Sequence, residues 1–146
     1  SVQLGSENVD ILLGTSGNDL LYGGGGNDQL TGGAGDDQLM GGAGSDLYVF
    51  GPGDGVDVIT DFDVSSDGSG DNDVLDLSAL LTVDPSSQPV EAFVSIDHTA
   101  SGALVSVSAD GGASFTPVAT LAGVGAGESV LVVLDRTVGA IAVDVS

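Results

Sequence analysis

The residues of this chain best suited to chemistry are aspartates, and they recur at a fixed interval. Asp10, Asp19, Asp28, Asp37 and Asp46 each take the sixth place of a nonapeptide: GSENVDILL (5–13), GTSGNDLLY (14–22), GGGGNDQLT (23–31), GGAGDDQLM (32–40) and GGAGSDLYV (41–49). Short carboxylates on turns rich in glycine and asparagine are hard oxygen donors, and a hard divalent cation is their natural ligand. All but three of the 22 acidic side chains are Asp, the exceptions being Glu7, Glu91 and Glu128. A surface acidified only for solubility would draw on both types.

Other chemistries find little material. With no cysteine there are no disulfides, thiolate sites or cysteine nucleophiles. His98 is the only histidine, with Ser95, Asp97 and Ser101 nearby, but no GxSxG elbow accompanies them and it reads as a surface residue. Arg136 is the only basic side chain and the net charge is -21, which does not suit binding to phosphates or to an anionic membrane. Hydrophobic residues nevertheless make up 41% of the 146, with a mean hydropathy of +0.33, so a folded core is expected despite the charge.

The elements that must position the aspartates follow from the same period. Six residues form a turn, and three around the large apolar eighth place (Leu12, Leu21, Leu30, Leu39 and Tyr48) form a short strand. Two nonapeptides close one coil, so equivalent turns recur every 18 residues. Stacked coils lie about 4.8 Å apart, as neighbouring strands do. One side then carries Asp10, Asp28 and Asp46, and the other Asp19 and Asp37. Carboxylates about 5 Å apart repel by ~1 kcal/mol in water and by ~3 kcal/mol at an effective dielectric of 20. A cation between them reverses the sign.

The repeats follow the pattern GGxGxDxUx, and residues 5–63 resemble the RTX (repeats-in-toxin) repeats of bacterial proteins exported by type I secretion. The resemblance implies an all-β fold, a right-handed parallel β-roll (a β-helix or solenoid), with Ca²⁺ as its one cofactor, bound between repeats two apart. The earlier repeat gives carbonyls from its second and fourth places plus its Asp; the later gives carbonyls from its first and third places plus its Asp. The first donor set is then Ser6, Asn8, Asp10, Gly23, Gly25 and Asp28. The second is Thr15, Gly17, Asp19, Gly32, Ala34 and Asp37, and the third Gly24, Gly26, Asp28, Gly41, Ala43 and Asp46. Ser6 and Asn8 replace glycine, so the first set is expected to be distorted or weak.

Past the repeats, FGPGDGVDVITDFDV (50–64) and DNDVLDLSALL (71–81) resemble the closing coil of this family. Asp54, Asp57 and Asp61 are its candidate ligands for one to three further ions, with Gly33, Gly35 and Asp37 as the earlier half of one site. The stretch Asp67–Asp73 (DGSGDND) reads as a solvated turn in preference to a flexible cation-binding loop. Beyond the linker TVDPSSQP (82–89), the segments VEAFVSI (90–96), ALVSVSA (103–109), FTPVATL (115–121), SVLVVL (129–134) and GAIAVDV (139–145) read as strands. Three units are expected: a calcium-binding roll with its closing coil (1–63), a capping segment and linker (64–89), and a β-rich region (90–146) packed on the last coils at Leu47, Val49 and Phe50. Ile11, Leu13, Leu20 and Tyr22 occupy outward places and call for a neighbouring segment or an upstream domain to cover them.

The order of DVLDLSALL, a strand with a DGG turn, and TLAGVG resembles the C-terminal target region of large type I-secreted adhesins. That resemblance implies a non-enzymatic, monomeric module, secreted to the outside or surface of a Gram-negative bacterium, unfolded in low-calcium cytosol and folded by Ca²⁺ outside. Its implied partners are the ABC transporter, membrane fusion protein and outer-membrane channel of the exporter, and the upstream domains of its parent. One alternative is the C-terminal RTX domain of a secreted hydrolase or toxin. Another is a solenoid that binds ice or a polysaccharide, but the third places (Glu7, Ser16, Gly25, Ala34 and Ala43) form no threonine row.

Overall fold

The computed structural model describes residues 1–64, 70–112 and 114–146. Part of the Asp67–Asp73 stretch lies outside the described residues. The chain winds between two sheets. Strands β1 (Val2–Leu4), β3 (Leu20–Gly25), β5 (Gln38–Ala43) and β7 (Asp57–Ile59) build one, and β2 (Ile11–Leu13), β4 (Gln29–Thr31), β6 (Leu47–Val49) and β8 (Val74–Asp76) build the other. All their pairings are parallel, as the two-repeat period requires. The eighth places point inward and stack in two rows. Leu12, Leu30, Tyr48 and Leu75 form one, and Leu21, Leu39 and Ile59 the other. Side chains alternate across a strand, so in each nonapeptide the eighth-place residue turns inward while its two neighbours turn outward, and each half-coil of the repeats contributes a single large apolar residue.

The C-terminal half continues both sheets rather than packing on their faces. Strand β11 (Thr116–Leu121) pairs in parallel with β7, and β12 (Ser129–Val133) with β8. Leu121 thereby extends the row ending at Ile59, and Val132 the row ending at Leu75. β9 (Val94–Thr99) and β10 (Gly102–Val107) complete one sheet by antiparallel pairing onto β11, and β13 (Ala140–Asp144) completes the other on β12. The expected docking surface at Leu47, Val49 and Phe50 is therefore replaced by edge-to-edge strand addition, with Phe50 inside a core continuous from Leu12 to Val145. Unpaired backbone at a sheet edge is a template for a further strand. Ser146 then ties the end of the chain to the far edge: its N–H donates to the Ile96 carbonyl, and its carbonyl accepts the His98 N–H.

Two local expectations change. Residues Val90–Ala92 form a 3-10 turn, so the strand begins only at Val94. SVLVVL does alternate, with Val130 and Val132 buried and their neighbours partly covered. At the other end, Ile11 and Leu13 remain 68% and 58% exposed and Tyr22 is also exposed, while Leu20 is partly buried. No described segment of this chain covers them.

Candidate metal centre

The sixth-place aspartates form two ladders along the turns. Asp10 donates its backbone N–H to Asp28 Oδ1 at 2.8 Å, Asp28 to Asp46 at 2.8 Å and Asp46 to Asp73 at 2.8 Å. On the opposite side Asp19 donates to Asp37 Oδ1 at 2.7 Å, and Asp37 to Asp57 at 3.0 Å. Each carboxylate thus uses one oxygen to satisfy the amide of the turn before it. Asp28, Asp37, Asp46, Asp57 and Asp73 are all buried, while Asp10 at the end is half-buried.

The second oxygens tell the turns apart. Oδ2 of Asp28, Asp37 and Asp46 is buried with no hydrogen-bond partner. Leaving a buried polar atom unmatched costs about 1–3 kcal/mol, and more when it is charged. Burial accordingly pushes the Asp46 carboxyl up to about 6, with the charges of Asp28, Asp61 and Asp71 adding to the effect. Burial raises Asp57 and Asp73 to about 7, and it raises Asp37 and Asp54 as well. Asp19 moves the other way: hydrogen bonds from the Ser1 nitrogen and hydroxyl and from the Thr15 amide hold it well below the usual range.

Carbonyl oxygens crowd the same places. A side chain on Gly23 would strike both Asp28 Oδ2 and the Gly41 carbonyl, two members of the third donor set. Side chains on Gly42 and Gly44 would strike the carbonyls of Gly24 and Gly26, the remaining earlier-half donors of that set. Glycine at these places keeps a cradle of backbone oxygen open beside the unmatched carboxylate. In the second set, Gly33 and Gly35 approach the carbonyls of Thr15 and Gly17 in the same way. In the first, Gly24 approaches the Ser6 carbonyl and Gly26 the Asn8 carbonyl. Gly25, Ala34 and Ala43 stand on the third places of the later turns.

With this geometry in hand, likeness to known proteins can be read. A family described as "RTX calcium-binding nonapeptide repeat (4 copies)" matches residues 4–39, 13–48 and 25–59. Together these matches span residues 4–59, the nonapeptides and the first part of the closing coil. Among solved structures, the C-terminal domain (RV) of MpAFP is similar over 98% of both chains, at 20% identity and a TM-score of 0.54. That likeness shows the fold, a β-roll. The AlgE6R3 subunit from the Azotobacter vinelandii mannuronan C5-epimerase aligns with 91% of this chain and 82% of its own, at 26% identity and a TM-score of 0.35, too low to argue from. No curated protein sequence matches the chain.

Calcium fits the RTX turns on chemical grounds. Among the described residues no three carboxylate or imidazole side chains converge on one point. An ion there must be held by two ladder aspartates and completed by carbonyls, and Ca²⁺ accepts 6–8 oxygens of either kind. The chain's one basic side chain is no substitute. Arg136 sits on Asp76, with Nε and Nη2 both 2.8 Å from Oδ2, while Ser78 donates its N–H and O–H to Oδ1. His98 is exposed, and Asp97 is engaged by the hydroxyls of Ser95 and Ser146.

The closing-coil candidates separate. Asp57 extends the Asp19–Asp37 ladder and Asp54 lies beside it, its Oδ2 accepting the Gly51 N–H at 2.6 Å. Asp61 crosses to the other ladder, where it accepts the Gly41 and Gly42 amides and the Tyr48 hydroxyl. Two features escaped the sequence reading. Asp73 ends the first ladder at an offset of 27 residues instead of 18, its Oδ2 taking the Asp63 N–H. The signal was present in Asp73-Val74-Leu75, which repeats the D-x-U core of the nonapeptide. The fifth places form an outer ladder: Asn18 accepts the Asp36 N–H, Asp36 the Val56 N–H, Asn27 the Ser45 N–H and Ser45 the Asn72 N–H.

Proposed function

We propose that this chain is a calcium-folded secretion module at the C-terminus of a large extracellular adhesin. The observation that supports it best is the set of buried, unmatched carboxylate oxygens on Asp28, Asp37 and Asp46 beside backbone carbonyls, with Arg136 committed elsewhere. In low calcium these ladders oppose folding and the chain stays extended enough to thread an exporter made of an ABC transporter, a membrane fusion protein and an outer-membrane channel. Outside, millimolar calcium fills the ladders, and each site at 100 times its Kd adds ~2.7 kcal/mol to the folded state. The closing coil supplies Asp57, Asp54 and Asp61 to further ions. The strands of 90–146 carry the export signal, fold first outside and offer β11 and β12 as templates for the coils. Upstream domains of the parent cover Ile11, Leu13 and Tyr22, and the module performs no catalysis.

A Ca²⁺ titration of the metal-free chain followed by far-UV circular dichroism tests the reading, with Mg²⁺ as control. A cooperative coil-to-β transition at or below millimolar Ca²⁺, reversed by chelator, is expected. A chain fully folded in excess chelator would overturn it. Export is tested by co-expressing the chain with a type I exporter, where loss of residues 90–146 should abolish its appearance in the medium.

A further inference from the structure

The five turns are built in two ways. In repeats three to five the second and fourth places are glycines at positive φ: Gly24 and Gly26 at 105° and 93°, Gly33 and Gly35 at 93° and 110°, Gly42 and Gly44 at 91° and 110°. In repeats one and two the same places are Ser6 and Asn8, Thr15 and Gly17, and none has a positive φ. A side chain at the second place makes the left-handed conformation costly by ~1–2 kcal/mol.

What those turns do instead is identical in both copies. Ser6 donates its N–H (2.6 Å) and its O–H (2.9 Å) to Asp10 Oδ2, and its Oγ accepts the Asn8 N–H at 3.1 Å. Thr15 donates its N–H (2.5 Å) and its O–H (2.9 Å) to Asp19 Oδ2, and its Oγ1 accepts the Gly17 N–H at 3.2 Å. The oxygen left bare on Asp28, Asp37 and Asp46 is thus filled on Asp10 and Asp19. Ser1 touches Asp19 but not Asp10, and the arrangement is the same in both.

We infer that Ser6 and Thr15 are specificity-determining residues that close the first two turns on their own aspartates in place of calcium. Ions then enter only where the earlier turn is one of repeats three to five. The first and second donor sets stay metal-free, and calcium dependence begins at the third turn. This rests on the calcium-module reading above.

Isothermal titration of the whole chain with Ca²⁺ tests it by counting ions. Ser6→Gly and Thr15→Gly together should raise the number bound per chain by up to two. The conservative pair Ser6→Thr and Thr15→Ser should leave the parent's count unchanged. Asp10→Asn, at a half-buried end position, covers the case where the glycine variant fails to fold. It should bind as many ions as the parent, whereas Asp28→Asn should lose at least one. An unchanged count in the glycine pair, a raised count in the conservative pair, or a lost ion in Asp10→Asn overturns the inference while leaving the calcium module intact. No binding by the parent would overturn both.

Discussion

The two halves of the molecule share the same sheets and differ in what holds them. In the repeats each half-coil buries one large side chain (Leu12, Leu21, Leu30, Leu39 or Tyr48) beside a carboxylate that no basic side chain reaches. In the C-terminal half, Phe93, Val94, Ile96, Val105, Leu121, Val130 and Val132 form an apolar core, and the one buried carboxylate nearby, Asp76, has Arg136. A fully buried aliphatic side chain contributes about 1.5–3 kcal/mol, while each ordered backbone residue costs about 1–2 kcal/mol. A nine-residue repeat with one such side chain cannot stand alone; a cap with many can. On the proposed reading the same fold needs metal at one end and stands on an apolar core at the other.

The sharpest way to break that contrast is acidity without calcium. Asp46, raised to about 6, and Asp57 and Asp73, raised to about 7, bind protons more tightly folded than unfolded. For a carboxylate raised above its unfolded value of 3.8, the metal-free folded state loses stability as pH rises from about 4 to about 7. In chelator, lowering the pH from 7.5 to 5 should restore β structure in the coils, at about 1.4 kcal/mol per unit per group over its window. In saturating calcium the same change should weaken the fold by protonating ligands. Circular dichroism melts in both conditions check the opposite signs, and equal responses would refute the metal-dependent half.

Next in size are cavities placed on either side of the contrast. Leu30→Ala and Leu121→Ala, both fully buried, should each cost about 2–5 kcal/mol in calcium-saturated denaturant melts. Only Leu121→Ala should also disturb whatever structure the C-terminal strands keep in chelator. On the ladder itself, Asp28→Ala should cost about 2–4 kcal/mol, because it strands the Asp10 amide and removes a donor next to the Gly41 carbonyl. Asp10→Ala, half-buried at the end, should cost about 1 kcal/mol. The smallest effect is expected from Arg136→Met: the guanidinium is largely exposed, so leaving Asp76 without it should cost less than about 1 kcal/mol, recovered in part by adding Asp76→Asn.

Some of this was written in the order of residues and some was not. The period of nine, the aspartate at its sixth place and the apolar residue at its eighth determine two parallel sheets, two inward rows and two carboxylate ladders, because a periodic chain can bury its repeated side chain only by repeating its path. Ser6 was read as a departure from glycine and Thr15, at the same place of the next repeat, was not; the destination of both hydroxyls was known only once the turns were built. Where the period lapses, spacing no longer carries position. Asp73 reaches Asp46 across an irregular insertion, Asp61 crosses to Gly41 and Gly42, and Arg136 finds Asp76 at a separation of 60 residues. Strand type was legible in the C-terminal half from alternation, but its docking by β7–β11 and β8–β12 pairing was not. Hydrophobic pattern says which face is buried, whereas the choice of edge is made by unpaired backbone groups that every residue carries alike.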